Sequence, residues 1–161
     1  MRKFKKILGA QCDVLVVDES GIEYIMNCIP EKYSVTVMYI RGVIPLITNF
    51  SFFIKLLQRI IQFKISYIAL VSAIVDEINP KVIITFIDNS PLMGRLSELF
   101  QDKMVISVQN GVRSDSHIDI GSWDNNVKVP HYYSFGDYEK DLFKLKKFKI
   151  EKYIPSGSIR M

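Results

Sequence analysis

Residues 80–111 read PKVIITFIDNSPLMGRLSELFQDKMVISVQNG, and this stretch decides the fold. Two apolar runs, 82–86 and 104–108, have the length and the β-branched composition of strands buried on both faces. Between them, residues 91–100 place apolar side chains at helical spacing, and Pro91 suits the first position of a helix. A strand, a helix and a strand within roughly 30 residues form a βαβ unit, whose crossover keeps the two strands parallel.

The flanking sequence extends this unit in both directions. We predict further strands at 12–17, 33–40, 131–135 and 152–155, and further helices at 22–29, 51–63, 66–78 and 137–147. Asp18 or Ser20 is expected to cap the first helix, and Ser51 the second. The prediction is an α/β fold with a Rossmann-like open, mostly parallel sheet and helices on both faces, as a single domain spanning residues 1–161.

The charge of the chain leaves three interpretations open. The 161 residues carry a formal net charge of +4, with lysines and arginines gathered at the two ends of the chain. A solvated face is the simplest interpretation, and weak binding to an anionic membrane surface is the second. Nucleic acid is the least favoured partner because no recognition element collects the basic residues.

Several sequence features favour a cytoplasmic protein. The basic N-terminus lacks the apolar segment of roughly 7 to 15 residues that a signal peptide needs. The apolar region 43–75 is interrupted by charged and amide side chains, which predicts amphipathic helices rather than a membrane span. Cys12 and Cys28 lack the spacing of a disulfide framework or a metal site, so reduced thiols are expected.

Polar residues follow the two strands of the central unit. Because the carboxyl ends of parallel strands share one edge, Asp88, Asn89 and Ser90 should lie beside Gln109-Asn110-Gly111. Amide groups followed by a glycine that can turn with positive φ suit a ligand rich in hydroxyl groups, such as a sugar. The simpler alternatives are that residues 88–90 only cap the next helix and that Asn-Gly only forms a turn.

A polar segment at 112–128 contains the candidate catalytic residue. His117 lies between Asp115 and Asp119, so it is a candidate general base, with a solvated loop histidine as the alternative. These three residues lack a distinctive metal-ligand spacing, and no metal site is predicted. The chain has neither a Walker loop nor a GxGxxG motif, which argues against dinucleotide binding of the usual kind.

Four short motifs in the second half carry a resemblance to a known family. They are PKVIITFIDN at 80–89, VISVQNGVR at 105–113, YSFG at 133–136 and PSGSIR at 155–160. In this order and spacing they resemble bacterial surface carbohydrate biosynthesis proteins, which look like glycosyltransferases of the GT-B type. The resemblance covers about residues 77–160, whereas the first 76 residues share only the general pattern.

The resemblance implies a division of labour between two domains. In GT-B transferases the N-terminal domain contacts the acceptor and a second domain holds the nucleotide-sugar. By this likeness the cleft is faced by Asp88, Asn89, Gln109, Asn110, Gly111 and Arg113, while Gly136, Gly157 and Ser158 lead toward the second domain. The chain ends at Met161, where the donor half should begin, so no cofactor is expected in this chain and the nucleotide-sugar would belong to a missing domain or a partner chain.

Two function hypotheses follow from these observations. The first is an N-terminal, acceptor-side domain that binds acceptor glycan for surface polysaccharide biosynthesis, such as lipopolysaccharide or capsule, and is inactive without its donor-binding domain. The second is a non-catalytic α/β interaction module, peripherally associated with the inner face of the cell membrane through its basic and apolar helices.

Overall fold

The elements of the chain follow from short apolar runs that alternate with amphipathic segments. A computed structural model describes residues 3–6, 11–39, 43–46, 49–88, 90–112, 128–145 and 149–159. In chain order the elements are β1 (Lys3–Lys6), β2 (Val14–Val17), α1 (Ile22–Cys28), β3 (Val35–Met38), β4 (Val43–Leu46), α2 (Phe50–Phe63), α3 (Tyr67–Ile78), β5 (Val82–Thr85), α4 (Pro91–Leu99), β6 (Met104–Val108), β7 (Lys128–Ser134), α5 (Tyr138–Leu145) and β8 (Lys149–Pro155).

The main sheet has six strands in the order β3-β2-β5-β6-β7-β8, and every neighbouring pair is parallel. The predicted Rossmann-like open sheet is therefore confirmed. The chain order reverses between β2 and β5, which is the switch point of the flavodoxin-like form of the doubly wound fold. Strands β1 and β4 form a separate parallel pair, which the sequence pattern did not predict.

Helices cover both faces of the sheet, as predicted. Strand residues alternate between the faces, so Val14 and Val16 pack with Ile25 of α1, whereas Leu15 and Val17 pack on the opposite side. That opposite side is covered by buried residues of α2, α3 and α4, which are Phe52, Val71, Ala73, Ile74, Val75, Ile78, Leu92, Met93 and Leu96. Helix α5 forms a third apolar cluster with β7 and β8.

Two of the predicted helix caps are wrong. Helix α2 begins after Asn49, whose side chain accepts the N–H of Phe52, so Ser51 lies inside the helix. Helix α1 begins after Gly21, which has a left-handed conformation and makes no side-chain cap. Asp18 instead accepts the backbone N–H of Ser20, which closes a turn immediately after β2. The chain therefore enters α1 through a backbone turn rather than through a side-chain cap.

Helices α2 and α3 come from the apolar region 43–75 and pack against each other. Their lengths are 14 and 12 residues. In the part of the chain that the structure describes, no helix has both the length and the apolar character needed to cross a membrane. The interrupted pattern thus predicts the helices correctly, whereas residues 43–46 at the start of the region form strand β4 instead.

Candidate functional site

Asp88 lies just beyond the end of β5 and joins three strand ends. The Tyr132 hydroxyl of β7 donates to Asp88 Oδ2 at 2.7 Å, and the backbone N–H of Asn110 donates to Oδ1 at 3.3 Å. Both Asp88 and Tyr132 are buried, at 2% and 0% exposure. A buried carboxylate is stable only when hydrogen bonds replace its lost hydration. Asp88 therefore positions the loop after β6 instead of reaching into solvent.

Tyr132 joins the candidate site through this contact, whereas the sequence pattern identified it only as part of the predicted strand 131–135. Its ring stacks on Tyr153 at 5.8 Å between centroids and meets Phe143 edge-on at 5.2 Å. The strand register places Tyr132 directly opposite Ser107. No local signal marks this residue, because its contact with Asp88 depends on the pairing of β6 with β7.

Gln109 is buried and holds the end of β6 against β7 and α5. Its Nε2 group donates to Glu139 Oε1 at 2.9 Å and to the Gly111 carbonyl at 2.8 Å, and its Oε1 accepts the N–H of Phe135 at 2.9 Å. Both side-chain N–H donors are therefore used within the protein. These hydrogen bonds give Gln109 a positioning role at the end of β6, and its contact with substrate stays a prediction.

Glu139 completes this network and was not predicted. It lies in the first turn of α5 and is 4% exposed. A carboxylate in a first helical turn is favoured by the helix dipole, which stabilises it by about 0.3–1 kcal/mol. The one available sequence signal is its position three residues after Gly136, at the start of a helical pattern.

Asn110 and Gly111 lie half-buried at the same edge. A Cβ atom added to Gly111 would meet no other heavy atom of the described residues within 4 Å. The expected positive φ occurs at Gly21 and Gly157 but not at Gly111. The left-handed turn that the sequence suggested at Gly111 is therefore not formed.

Ser90 is the N-cap of α4, since its hydroxyl accepts the N–H of Leu92 at 3.3 Å with Pro91 at the start of the helix. The capping interpretation is therefore confirmed for this residue. Asn89, Arg113 and the candidate base His117 lie outside the described residues, as do Asp115 and Asp119.

The three predicted interdomain residues follow β7 and β8, so they extend the same carboxyl edge. The Gly136 carbonyl accepts hydrogen bonds from the hydroxyls of Ser134 at 3.0 Å and Tyr153 at 2.8 Å. Gly157 has a φ of 76°, and it follows Ser156, whose N–H donates to the Ser134 carbonyl at 2.9 Å. Gly157 and Ser158 are both half-buried. The candidate residues thus lie along one line, at the ends of four adjacent strands.

The switch point itself is partly filled. A Cβ atom at Gly21 would lie 2.2 Å from Cδ1 of Phe86, so the ring sits directly against the turn after β2. Beyond this turn, Asp18 is buried, and its charge and that of Glu19 act on the phenol of Tyr67. Burial, followed by these two charges, raises the pKa of Tyr67 well above its usual range.

The opposite, amino edge of the sheet carries a polar groove of about 430 Å³ lined by residues that include Asp13, Ser34 and Lys81. Lys81 Nζ lies 2.9 Å from Asp13 Oδ1, and the Ser34 backbone and hydroxyl also donate to Asp13. The hydrogen bond from Lys81, followed by those from Ser34, lowers the pKa of Asp13 to about 2. The groove therefore lies at the opposite end of the strands from the candidate residues.

No protein-family model, curated protein or solved structure matches the chain. The likeness to GT-B-type transferases therefore rests on the four sequence motifs alone. The fold and the arrangement of polar residues at its carboxyl edge rest on the geometry given above.

Proposed function

We propose that this chain is the N-terminal, acceptor-side domain of a GT-B-type glycosyltransferase of bacterial surface carbohydrate biosynthesis. In this proposal the acceptor glycan binds along the carboxyl edge of the sheet, beside Asn110 and Gly111. The observation that carries the proposal is the alignment of polar residues after β5, β6, β7 and β8 at one edge, held in place by the buried Asp88–Tyr132 and Gln109–Glu139 hydrogen bonds. Ligands of open α/β sheets bind at this edge.

The chemistry of the described edge residues suits a ligand that carries hydroxyl groups. The described residues that directly follow the four strands, 86–88, 90, 109–112, 135–137 and 156–159, include no lysine or arginine. Arg113, which the resemblance places at the cleft, lies directly after them and outside the described residues. Amides, hydroxyls and backbone groups match the donors and acceptors of a sugar.

Rigidity is the second argument for a binding edge. Asp88 fixes the Asn110 backbone, and Gln109 fixes the Gly111 carbonyl, so the loop after β6 is held before any ligand arrives. A preorganised loop loses less conformational entropy on binding, which strengthens a given set of contacts. The positioning residues thus support the ligand-facing ones without touching the glycan.

Sugar transfer needs a donor held against the acceptor, because proximity supplies much of the rate acceleration. In this proposal the nucleotide-sugar is held by a further domain or a partner chain. His117 is the proposed general base. The chain by itself is expected to bind acceptor without transferring sugar.

One observation favours the second candidate, a non-catalytic α/β interaction module. Asp88, Gln109 and Glu139 are all buried and hydrogen-bonded within the protein. Such a network also serves a purely structural purpose, because buried polar groups must be satisfied in any fold. The two candidates differ in whether the edge binds a glycan.

Calorimetric titration of the chain with a panel of surface-glycan oligosaccharides tests the proposal. Asn110→Ala removes one amide hydrogen-bonding group, so we expect affinity to fall about two- to twelvefold, the equivalent of about 0.5–1.5 kcal/mol. The matched control is Asn27→Ala, because Asn27 is exposed near the end of α1 and far along the chain from this edge. Its affinity should match that of the unsubstituted chain.

Thermal unfolding of both variants shows whether the fold is intact. A loss of affinity confined to Asn110→Ala supports the transferase domain. Equal affinities of the two variants would remove Asn110 from the site, and an absence of heat with every glycan would favour the interaction module.

A further inference from the structure

Helix α2 carries a stripe of large apolar side chains on its outer surface. Phe50 is 80% exposed and Ile61 is 78% exposed, and Ile54 and Leu57 between them are also exposed. These four residues are spaced four, three and four positions apart, so they form a single seam along one face of the helix. Phe53 is exposed beside the seam. These five side chains are the outer stripe, and a contiguous apolar surface of this kind marks an interaction site.

The inner face of α2 fixes the direction of the outer stripe. Phe52 is fully buried in the core. Lys55 Nζ lies 2.8 Å from Glu77 Oε2, and Arg59 contacts both carboxylate oxygens of Asp76 at 2.7 and 3.0 Å. Rotating the helix to bury the stripe would break both ion pairs with α3 and separate charges that are now paired, which is unfavourable.

The outer stripe and its border carry no charge. Lys55 and Arg59 are the only charged residues of α2, and both are paired with carboxylates of α3 on the inner face. By helical spacing, the polar side chains next to the stripe are Ser51, Gln58 and Gln62, which are all neutral and exposed. An apolar centre with a polar border is the usual anatomy of a protein–protein interface. The stripe therefore fits an uncharged apolar protein surface.

A second copy of the chain offers such a surface. In a dimer with two-fold symmetry the same patch lies on both sides of the interface, so the patch must be complementary to itself. A patch with charge of one sign would face the same charge on the other copy, which is repulsive. The outer stripe meets an identical stripe without that repulsion, and two straight apolar seams pack side by side as neighbouring helices do.

The exposed area of the outer stripe is large enough for a dimer. A large apolar or aromatic side chain offers about 150–200 Å² when it is fully exposed, and the five members of the stripe are on average roughly 60% exposed. Each copy thus presents about 500–600 Å², and two copies would bury about 1,000–1,200 Å², which reaches the lower limit of specific protein interfaces. The polar side chains of the border add to this area.

We propose that the chain forms a symmetric dimer in which the outer stripe of α2 packs against the outer stripe of a second copy. The helix has 14 residues and is about 21 Å long, so the seam runs along its whole length. The dimer leaves the proposed glycan site free, because α2 covers one face of the sheet whereas that site follows the ends of the strands. Dimer formation is therefore independent of glycan binding.

Sedimentation velocity of the full chain tests the proposal. We expect the dimer fraction to rise with concentration without larger species, because a two-fold interface closes on itself. A chain that stays monomeric up to about 0.1 mM, or that forms an open series of oligomers, would overturn the proposal. A monomer that sediments with vesicles of phosphatidylcholine and phosphatidylglycerol would overturn it as well and would assign the stripe to a lipid surface.

Paired substitutions locate the interface. The combined Leu57→Ser and Ile61→Ser variant should raise the dissociation constant of the dimer by about a hundredfold or more, because each copy loses two large apolar contacts. The matched control combines Met26→Ser and Leu145→Ser, which replace exposed apolar side chains on α1 and α5. The control should dimerise like the unsubstituted chain. Equal dissociation constants for the two variants would overturn the assignment of the interface to α2.

Charge substitutions at Leu57 provide a second test that does not depend on the serine variant being folded. Leu57 is exposed near the middle of the stripe, so the folded chain tolerates a charge there, whereas a symmetric dimer places the two copies of that charge close together. We expect Leu57→Lys and Leu57→Glu each to be monomeric alone and to form a heterodimer when they are mixed in equal amounts. Misfolded chains would not regain specific pairing. A mixture that stays monomeric while both variants keep the Tm of the unsubstituted chain would overturn the proposal.

Discussion

Replacing Tyr132 by phenylalanine removes one hydroxyl group from the centre of the carboxyl edge and leaves the ring in place. The lost hydrogen bond joins the Tyr132 hydroxyl to Asp88 Oδ2 at 2.7 Å, and both residues are almost fully buried. A hydrogen bond to a charged group contributes about 1.5–3 kcal/mol, and the buried carboxylate is left without this donor. We expect the free energy of unfolding to fall by about that amount, which lowers Tm by roughly 3–12 °C.

Urea denaturation followed by circular dichroism measures this loss. The midpoint should decrease while the slope with denaturant stays constant, because the surface exposed on unfolding is unchanged. Tyr33→Phe is the control, since Tyr33 is 42% exposed, and its effect should stay within about 0.5 kcal/mol. Amide hydrogen exchange at Asn110 should also become faster in Tyr132→Phe, because Asp88 accepts this N–H. Equal midpoints for the two variants would refute the claim that the Tyr132 hydroxyl stabilises the edge.

Three further predictions concern other parts of the chain. Gly21→Ala should destabilise the protein by about 2–4 kcal/mol in urea titrations, since the position has a positive φ and no room for a Cβ. Gly157→Ala should cost only about 1 kcal/mol, because Gly157 has a positive φ but an added Cβ would meet no described heavy atom within 4 Å. Equal costs for the two variants would contradict the steric argument. Asp13 has its pKa lowered to about 2 in the folded chain, so its stabilising contribution is present above the ordinary pKa of 3.8 and is lost as pH falls toward 2. Melting curves across this range should therefore show a smaller acid-induced loss of Tm in Asp13→Asn, and an identical loss would contradict the pairing. Burial raises the pKa of the Cys12 thiol, whereas Cys28 is exposed. Mass spectrometry should therefore find iodoacetamide attached to Cys28 in the folded protein and to Cys12 only after unfolding. Equal labelling rates of the two thiols in the folded protein would contradict the burial of Cys12.

The strands and their direction could be predicted from local patterns. The runs at 82–86 and 104–108 are apolar and β-branched, and the helix between them leaves no choice but a parallel arrangement. This reasoning also brought Asp88 and Asn110 to one edge, and their hydrogen bond is present. The pairing of β1 with β4 was missed because their short runs carry no signal that distinguishes a separate strand pair from loops.

The roles of the edge residues could not be predicted in the same way. Gln109 and Glu139 are 30 positions apart, and Asp88 and Tyr132 are 44 positions apart. Contacts at such separations depend on the register of β6 with β7 and on where α5 begins, which no local pattern encodes.

The most direct test of the proposed binding edge is amide chemical-shift mapping of the chain with a bound surface-glycan oligosaccharide. The account predicts shifts that cluster after the strands of the carboxyl edge, at Ser90, Asn110, Gly111 and Gly136. Shifts centred instead on the amino-edge groove, at Ser34 and Lys81, would contradict it, as would a spectrum that no glycan changes.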